Sequence, residues 1–354
     1  MKIWALVESR RPLQMLEVED PTPKGTEVIV ASTHCGLCHS DLHFWEGEYN
    51  LGGGRTMRIA DRGVTLPRAP GHEIVGTVVA VGPDAEGVSI GDRRIVYPWI
   101  GCGRCDRCLA GEENICATMK PIGVITHGGM ASKVVVPHPR YLVDYGDLDP
   151  GVAATYACSG ITALGAIRKL EIRNPDAPVV LIGAGGLGFS ALEMLKALGH
   201  RSVVMVDVDP AKRETALAAG ASGFVDGNAS DLTAALREAA GGAVLHVIDF
   251  VNSDRTARAA FESLGKGGRH VMVGVAGGEL TLSLAGMVFV PRAVIGTAMG
   301  SIDDLRQVVA LAREGKLRPI PTERFPIDRA NEALTKLHDG KVRGRIVLEH
   351  GADG

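Results

Sequence analysis

The rhythm of apolar and polar positions along this chain changes once, near residue 152. Before that point, short β-branched and apolar runs are cut by prolines and glycines, the pattern of short strands. Residues 2–8 and 27–32 are two such runs, separated by Pro21, Pro23 and Gly25. Residues 74–81, 91–97, 133–137 and 140–143 are four more, which predicts a β-rich first domain. A short helix is expected over 41–45, after a turn at Gly36. Residues 47–66 contain Gly52, Gly53 and Gly54 in succession and no period, so a long loop is expected there.

Beyond residue 152 buried strands alternate with amphipathic helices. Strands are predicted over 179–182, 202–206, 223–225, 243–250 and 269–275, and helices over 188–198, 211–219, 232–240 and 255–264. That alternation implies a parallel sheet covered on both faces, so the fold class is α/β. Helices at 302–314 and 328–339 follow, and a last strand at 345–348 is expected to return to the first domain. No internal repeat interrupts this plan.

Composition narrows the class. A chain of 354 residues, 45% hydrophobic and 22% charged, has the make-up of a soluble globular protein with two cores. A net charge of −3 gives no electrostatic case for nucleic acid or an acidic membrane. The first residues meet a charge at Lys2 and another at Glu8, unlike a secretory leader, and no apolar run is read as reaching the ~18 residues of a membrane span. A cytoplasmic, reducing setting is therefore expected, with the seven cysteines as thiols or thiolates.

Four of those cysteines, Cys102, Cys105, Cys108 and Cys116, fall in one glycine-rich, charged stretch with little that could form a core. Free thiols exposed in a loop are a liability, and disulfides do not suit the compartment. Four thiolates complete a tetrahedral Zn²⁺, so a closed structural zinc site is expected, with no open position for chemistry. A zinc-ribbon nucleic-acid module is disfavoured by the net charge and by Glu112 and Glu113 within the stretch.

A second motif follows the strand 179–182 directly: Gly183-Ala184-Gly185-Gly186-Leu187-Gly188, then a helix. This is G-x-G-x-x-G in its required strand–turn–helix context. Gly183 serves the tight turn, Gly185 the approach of backbone to a pyrophosphate, and Gly188 the packing of helix on strand. Asp207 ends the next strand 19 residues beyond Gly188, where a carboxylate binds the adenosine ribose hydroxyls and repels a 2′-phosphate. NAD is thus favoured over NADP, although Lys212 and Arg213 on the following helix can turn back to the same place. Cys38, His72 and Cys158 are scattered, and each alone reads more readily as a core residue than as a ligand. Taken together they would make a Cys₂His set, the ligands of a catalytic zinc with an open fourth position, but spacing alone does not bring the three together.

The chain resembles the zinc-dependent alcohol dehydrogenases of the medium-chain dehydrogenase/reductase family over nearly its whole length. The likeness rests on G-L-C-H-S-D-L-H (36–43), P-G-H-E (70–73), the four-cysteine stretch, C-S-G-I-T-A (158–163), V-V-L-I-G-A-G-G-L-G (179–188) and G-R-I-V-L-E (344–349), in the family's order. The segment 47–66 and L-P-R-A-P-G-H-E are most like tetrameric archaeal and bacterial members. The resemblance implies a GroES-like catalytic domain from 1–157 and 300–354, and a Rossmann domain from 158–299. It implies two zinc ions per subunit, NAD, and a homotetramer that oxidises primary or secondary alcohols to aldehydes or ketones, reversibly. Cys38, His72 and Cys158 would hold the catalytic zinc, with Glu73 a neighbouring or transient ligand and Asp41 orienting His72. Ser40 and His43 would relay the proton, and His39 and Arg345 would contact the pyrophosphate. Thr162 and Val273 would lie against the nicotinamide, and Trp45, Tyr49 and Trp99 would wall the substrate pocket. Cys35 matches no ligand and is read as a structural thiol. A polyol or other hydroxy-metabolite dehydrogenase shares all these residues. A nucleotide-sensing or structural relative would be expected to have lost one of them, and none is lost.

Overall fold

The structure is a computed structural model that describes residues 1–342 and 344–351. Two sheets carry it. The first is six-stranded, in the order Gly223–Asp226, Val203–Asp207, Val179–Ile182, Val244–Asp249, Leu264–Met272, Ala293–Gly296. Every pairing in it is parallel. The strand Val179–Ile182 is buried throughout because helices cover both faces. Its side chains alternate between two cores. Val179 and Leu181 pack with Leu192 and Leu195 of the helix Gly186–Ala197, while Val180 and Ile182 pack with Leu236 and Phe261 from the other side. Chain order reverses between Val179–Ile182 and Val244–Asp249, which opens a crevice at the strands' C-terminal ends.

The second sheet has seven strands and is mixed. Its order is Thr322–Pro326, Arg345–Glu349, Val28–Leu37, Glu73–Val81, Arg93–Val96, Leu142–Val143, with Lys133–Val136 also pairing on Val28–Leu37. The C-terminal strand pairs antiparallel with Val28–Leu37, Val347 opposite Gly36 and Leu348 opposite Cys35. Thus the chain's end does return to its first half.

Several expectations are corrected. Gly36 lies inside a strand rather than at a turn, and it is glycine because a Cβ there would come within 2.8 Å of the Glu73 Cβ. Residues 47–66 are not a loop. Glu48–Gly52 and Arg55–Arg58 form an antiparallel hairpin, followed by a 3₁₀ turn at Ile59–Arg62. Its turn residues Gly52, Gly53 and Gly54 have φ of 81°, 56° and 74°, open to glycine at no steric cost. Most hairpin positions are exposed, so no apolar alternation announced it. Sequence periodicity also missed the strands Gln14–Glu17, Ala293–Gly296 and Thr322–Pro326 and the helix Leu284–Phe289.

The rhythm change at 152 falls within a helical run, Pro150–Lys169, started by Asp149 capping the Val152 amide. This run is long and apolar enough to cross a membrane, contrary to the sequence reading, but 72% of its apolar window is buried inside the protein. It is a core helix. A π-helical segment, Tyr156–Gly160, interrupts it and carries Cys158. Such bulges cluster at functional sites.

Candidate active site and zinc centres

The four-cysteine lobe is compact. Its four sulfur atoms lie within 4.8 Å of one another, and the pairs Cys105–Cys108, Cys102–Cys108 and Cys105–Cys116 are 3.5, 3.9 and 3.9 Å apart. A tetrahedron of Zn–S bonds near 2.3 Å has edges of about 3.8 Å, so the donor set fits zinc. No disulfide joins them. The backbone amides of Arg104 and Cys105 draw the Cys102 thiol down to about 6, toward the thiolate a metal requires. Glu113, noted in the sequence only for its charge, fastens the lobe. Its carboxylate accepts from the Gly101 amide at 3.0 Å and the Tyr141 hydroxyl at 2.6 Å, and pairs with Arg140 at 3.0 Å.

The second cluster assembles from three distant stretches. Cys38 caps the helix His39–Glu46. Its own amide donates to Asp41 Oδ2 at 2.9 Å, and its sulfur accepts from the Ser40 amide at 3.3 Å. The thiol therefore occupies the place of a capping hydroxyl, where free amides and the helix dipole favour an anion. His72 Nε2 lies 3.2 Å from Cys38 Sγ, and its Nδ1 lies 3.5 Å from Asp41 Oδ1. One carboxylate thus fixes both the cap and the histidine. Cys158 arrives from the π-helical segment. Donor atoms of Cys38, His72, Glu73 and Cys158 all lie within 4.8 Å of one another.

Charge is concentrated here. The Cys158 thiol donates to Cys38 and holds it well below the usual thiol range, helped by His72 against the effect of burial. Cys158 is pushed up in turn by the same hydrogen bond. Burial alone would depress His72, but the Cys38 thiolate and Asp41 outweigh it and raise it. Glu73 is fully buried and pushed up by burial to about 7 despite an ion pair with Arg345. Among the described residues its Oε2 has no hydrogen-bond partner. An unpartnered buried carboxylate oxygen beside two sulfurs and an imidazole fits a borderline-soft cation such as zinc.

The other expected residues surround this cluster. Ser40 is exposed and His43 half-buried, one turn apart on the same helix, and His39 is exposed beside them. His43 Nδ1 lies 3.1 Å from Glu46 Oε2, and its ring is 5.1 Å from that of Tyr49. Trp99 is buried with its ring 5.3 Å from His72 and its indole N–H on the Ala157 carbonyl. Trp45 is joined instead to the Arg11 carbonyl and to the edge of His338.

In the parallel-sheet half, Gly183 takes φ 103°, and a Cβ on Gly188 would overlap the Gly183 carbonyl. A Cβ on Gly185 would meet nothing, so this backbone faces open space at the start of a helix. Asp207 Oδ2 accepts from the Ala184 amide at 2.8 Å and pairs with Lys212 at 2.9 Å. Thr162 is buried on the helix beyond Cys158, and the Val273 amide bonds the Asp249 carbonyl at 2.9 Å. Arg345 lies against the turn, where a Cβ on Gly186 would sit 2.9 Å from its Cδ, while its guanidinium meets Glu73. That link between glycine turn and cysteine cluster was not legible, since its partners are 272 residues apart.

Comparison with known proteins adds to this geometry. Residues 24–147 match the family described as alcohol dehydrogenase GroES-like domain, and residues 186–314 the family described as zinc-binding dehydrogenase. An NAD-dependent alcohol dehydrogenase from Sulfurisphaera tokodaii is 35% identical over 350 residues, 98% of this chain and 99% of that protein. The crystal structure of an alcohol dehydrogenase from Aeropyrum pernix superposes with a TM-score of 0.88 at 31% identity, covering 99% of this chain and 100% of that one. A D-arabinose 1-dehydrogenase (NADP(+)) from Saccharolobus solfataricus is 33% identical, over 98% of this chain and 97% of that protein.

Proposed function

The chain belongs to the zinc-binding alcohol dehydrogenase family and is an NAD-dependent oxidoreductase of alcohols and carbonyl compounds; from that premise we propose the roles of its residues. The observation that carries the proposal is the convergence of Cys38, His72, Glu73 and Cys158 within 4.8 Å, on a cluster tied through Arg345 to the glycine-rich turn. Cys38, His72 and Cys158 hold the catalytic zinc, and Cys102, Cys105, Cys108 and Cys116 the structural one. When bound, zinc supplies a Lewis acid that stabilises an alkoxide, and NAD supplies the hydride acceptor. Asp41 holds His72 in the tautomer that presents Nε2. Glu73 balances the charge of Arg345 and lends its free oxygen to the cluster. Ser40 takes the alcohol's proton at Oγ and His43 passes it outward from its ring, whose two nitrogens can accept a proton on one side and give one up on the other. The amides at Gly185 and Gly186, with His39 and Arg345, receive the pyrophosphate, and Asp207 with Lys212 the adenosine ribose. Thr162 and Val273 flank the nicotinamide. Trp99 and Tyr49 wall the substrate side; Trp45 has a weaker claim, since it is bonded elsewhere.

The division into a catalytic part (1–157 and 300–354) and a coenzyme part (158–299) belongs to the same reading, as do a cytoplasmic setting and a homotetramer. Exposed Leu284, Val288 and Phe289, beside the open edge strand Ala293–Gly296, support subunit contact. The test is NADH formation across primary, secondary, cyclic and polyhydric alcohols, with the zinc content of the same protein measured. Activity on none of them, or fewer than two zinc ions per chain, overturns the assignment. The likeness to a D-arabinose 1-dehydrogenase carries a second reading, a hydroxyl-rich substrate, and aldoses offered with NAD or NADP in the same assay separate the two. Asp207→Ala is expected to weaken NAD more than NADP, and equal losses would remove Asp207 from the ribose site.

A further inference from the structure

The hairpin of residues 48–58 leaves the mixed-sheet half near the cysteine cluster, yet its turn rests on the parallel-sheet half. Gly52 is buried there, and a Cβ on it would overlap the Gly278 carbonyl. A Cβ on Gly53 would run into the Glu279 carboxylate, and one on Gly277 would lie 2.8 Å from Asn50. Arg55 Nη2 pairs with Glu279 Oε1 at 3.2 Å beside this contact. The receiving loop is itself anchored. The Glu279 amide donates to Asp254 Oδ1, a Cβ on Gly278 would lie 2.6 Å from the same oxygen, and Gly277 bridges to Ser253. Two backbones therefore touch glycine on glycine across the two halves, a close approach that only residues without Cβ permit.

Each side of the contact leads to a working part. In the hairpin Tyr49 pairs with Met57, and its ring stands over His43. On the other side, residues 277–279 continue from Val273 and Gly274, whose amides bond the Asp249 carbonyl. Gly274 backs onto the Val251 carbonyl, and a Cβ on Gly183 would lie 3.2 Å from the Val251 side chain. A short chain of contacts thus joins the relay histidine to the glycine-rich turn.

We propose that Gly52, Gly53, Gly277 and Gly278, with the Arg55–Glu279 pair, form an interdomain latch that seats Tyr49 on His43 and sets the rate at which NADH leaves. This rests on NAD lying in the crevice and on His43 facing the substrate. Arg55 and Glu279 are positioning residues. They are 69% and 58% exposed, so their pair is worth little and is screened by salt, as suits a contact that must open in every turnover. The glycines give it shape, because a side chain at Gly52 or Gly278 holds the two halves apart.

The test uses the full zinc-loaded chain, with NADH release followed by the loss of bound-nucleotide fluorescence on dilution or displacement. Glu279→Gln and Arg55→Gln are expected to speed release about two- to five-fold and to raise KM for NAD by a similar factor, with thermal stability unchanged. Release from the parent protein is expected to quicken with salt, and release from Glu279→Gln to lose that dependence. The single reversals Arg55→Glu and Glu279→Arg are expected to do more, and the doubly reversed protein to return to within about twofold of the parent. Unchanged release and KM in the single reversals, or no recovery in the double, overturns the latch alone. A parent protein that neither binds NADH nor oxidises any alcohol overturns the functional reading and the latch with it.

Discussion

His72 is placed by two anionic partners, a thiolate at Nε2 and the Asp41 carboxylate at Nδ1. Asp41 also takes the amides of Cys38 and Gly71, so one carboxylate fixes the orientation of a histidine and the backbone of a cysteine. Asp41→Asn keeps the shape but offers a donor where an acceptor is needed. It is expected to weaken metal binding at this cluster about 10–100-fold, checked by zinc competition against a chromogenic chelator. A wild-type affinity would reduce Asp41 to a helix cap. His270 illustrates a different use of burial. It is fully enclosed in the parallel sheet, both ring nitrogens lack a hydrogen-bond partner among the described residues, and burial pulls it from the ordinary 6.5 down to about 4. Its folded-state value is the lower one, so the stability it permits is whole above pH 6.5 and is lost as pH falls toward 4. Over that window the loss reaches about 3 kcal/mol. Asp249, 4.0 Å away and pushed up by burial, works in the opposite sense at the acidic end. Denaturant unfolding at pH 7 and pH 4 should therefore give a smaller difference for His270→Leu than for the parent. An equal difference would show that His270 does not titrate in this window.

At the scale of elements, the lobe of residues 102–116 and the cysteine cluster have no ligand in common, so each should fail alone. Cys105→Ser is expected to leave one zinc per chain in place of two by elemental analysis, with loss of the lobe's order. Retention of two zinc ions would mean that three thiolates suffice. The same separation explains what could be read from sequence. The inner strands of the parallel sheet were legible because they are buried on both faces and the helices on one, while the half-exposed edge strand Ala293–Gly296 was not; the lobe was legible because its ligands are close in the chain. Cys38, His72 and Cys158 are far apart, and only the motifs around them, taken as a set, pointed to one site. Glu73 with Arg345, and Glu113 with Tyr141, are pairings made by tertiary packing, and nothing local marks either. The hairpin was illegible for the opposite reason: its strands face solvent, so its only sequence signal was three glycines, which equally describe a loop.

At the scale of the whole molecule, one surface is apolar and exposed. The helix Leu284–Phe289 has no buried residue, and Leu284, Val288 and Phe289 are 84%, 75% and 76% exposed. The strand that follows, Ala293–Gly296, pairs on one side only among the described residues and is the outermost of the parallel sheet. An open edge with free amides and carbonyls, flanked by an apolar helix, invites pairing with another chain. A chain that stayed single would be expected to guard such an edge with charge. Arg292 stands just before the strand, but it is drawn inward, over the Phe261 ring and onto the Phe261 carbonyl, and so does not guard it. A second copy related by a two-fold axis could satisfy the edge and cover the helix with the same residues from both sides. Three exposed apolar side chains at roughly 2 kcal/mol each then favour association by several kcal/mol per subunit before its entropic cost. Leu284→Asp combined with Phe289→Asp is therefore expected to shift the mass from a multiple of the chain to a smaller species, measured by light scattering at fixed protein concentration. If the parent is already monomeric, or the double variant keeps the parent's mass, the apolar edge is not the contact. Because neither candidate metal cluster includes a residue of this helix or strand, the smaller species is expected to keep the zinc content of the parent.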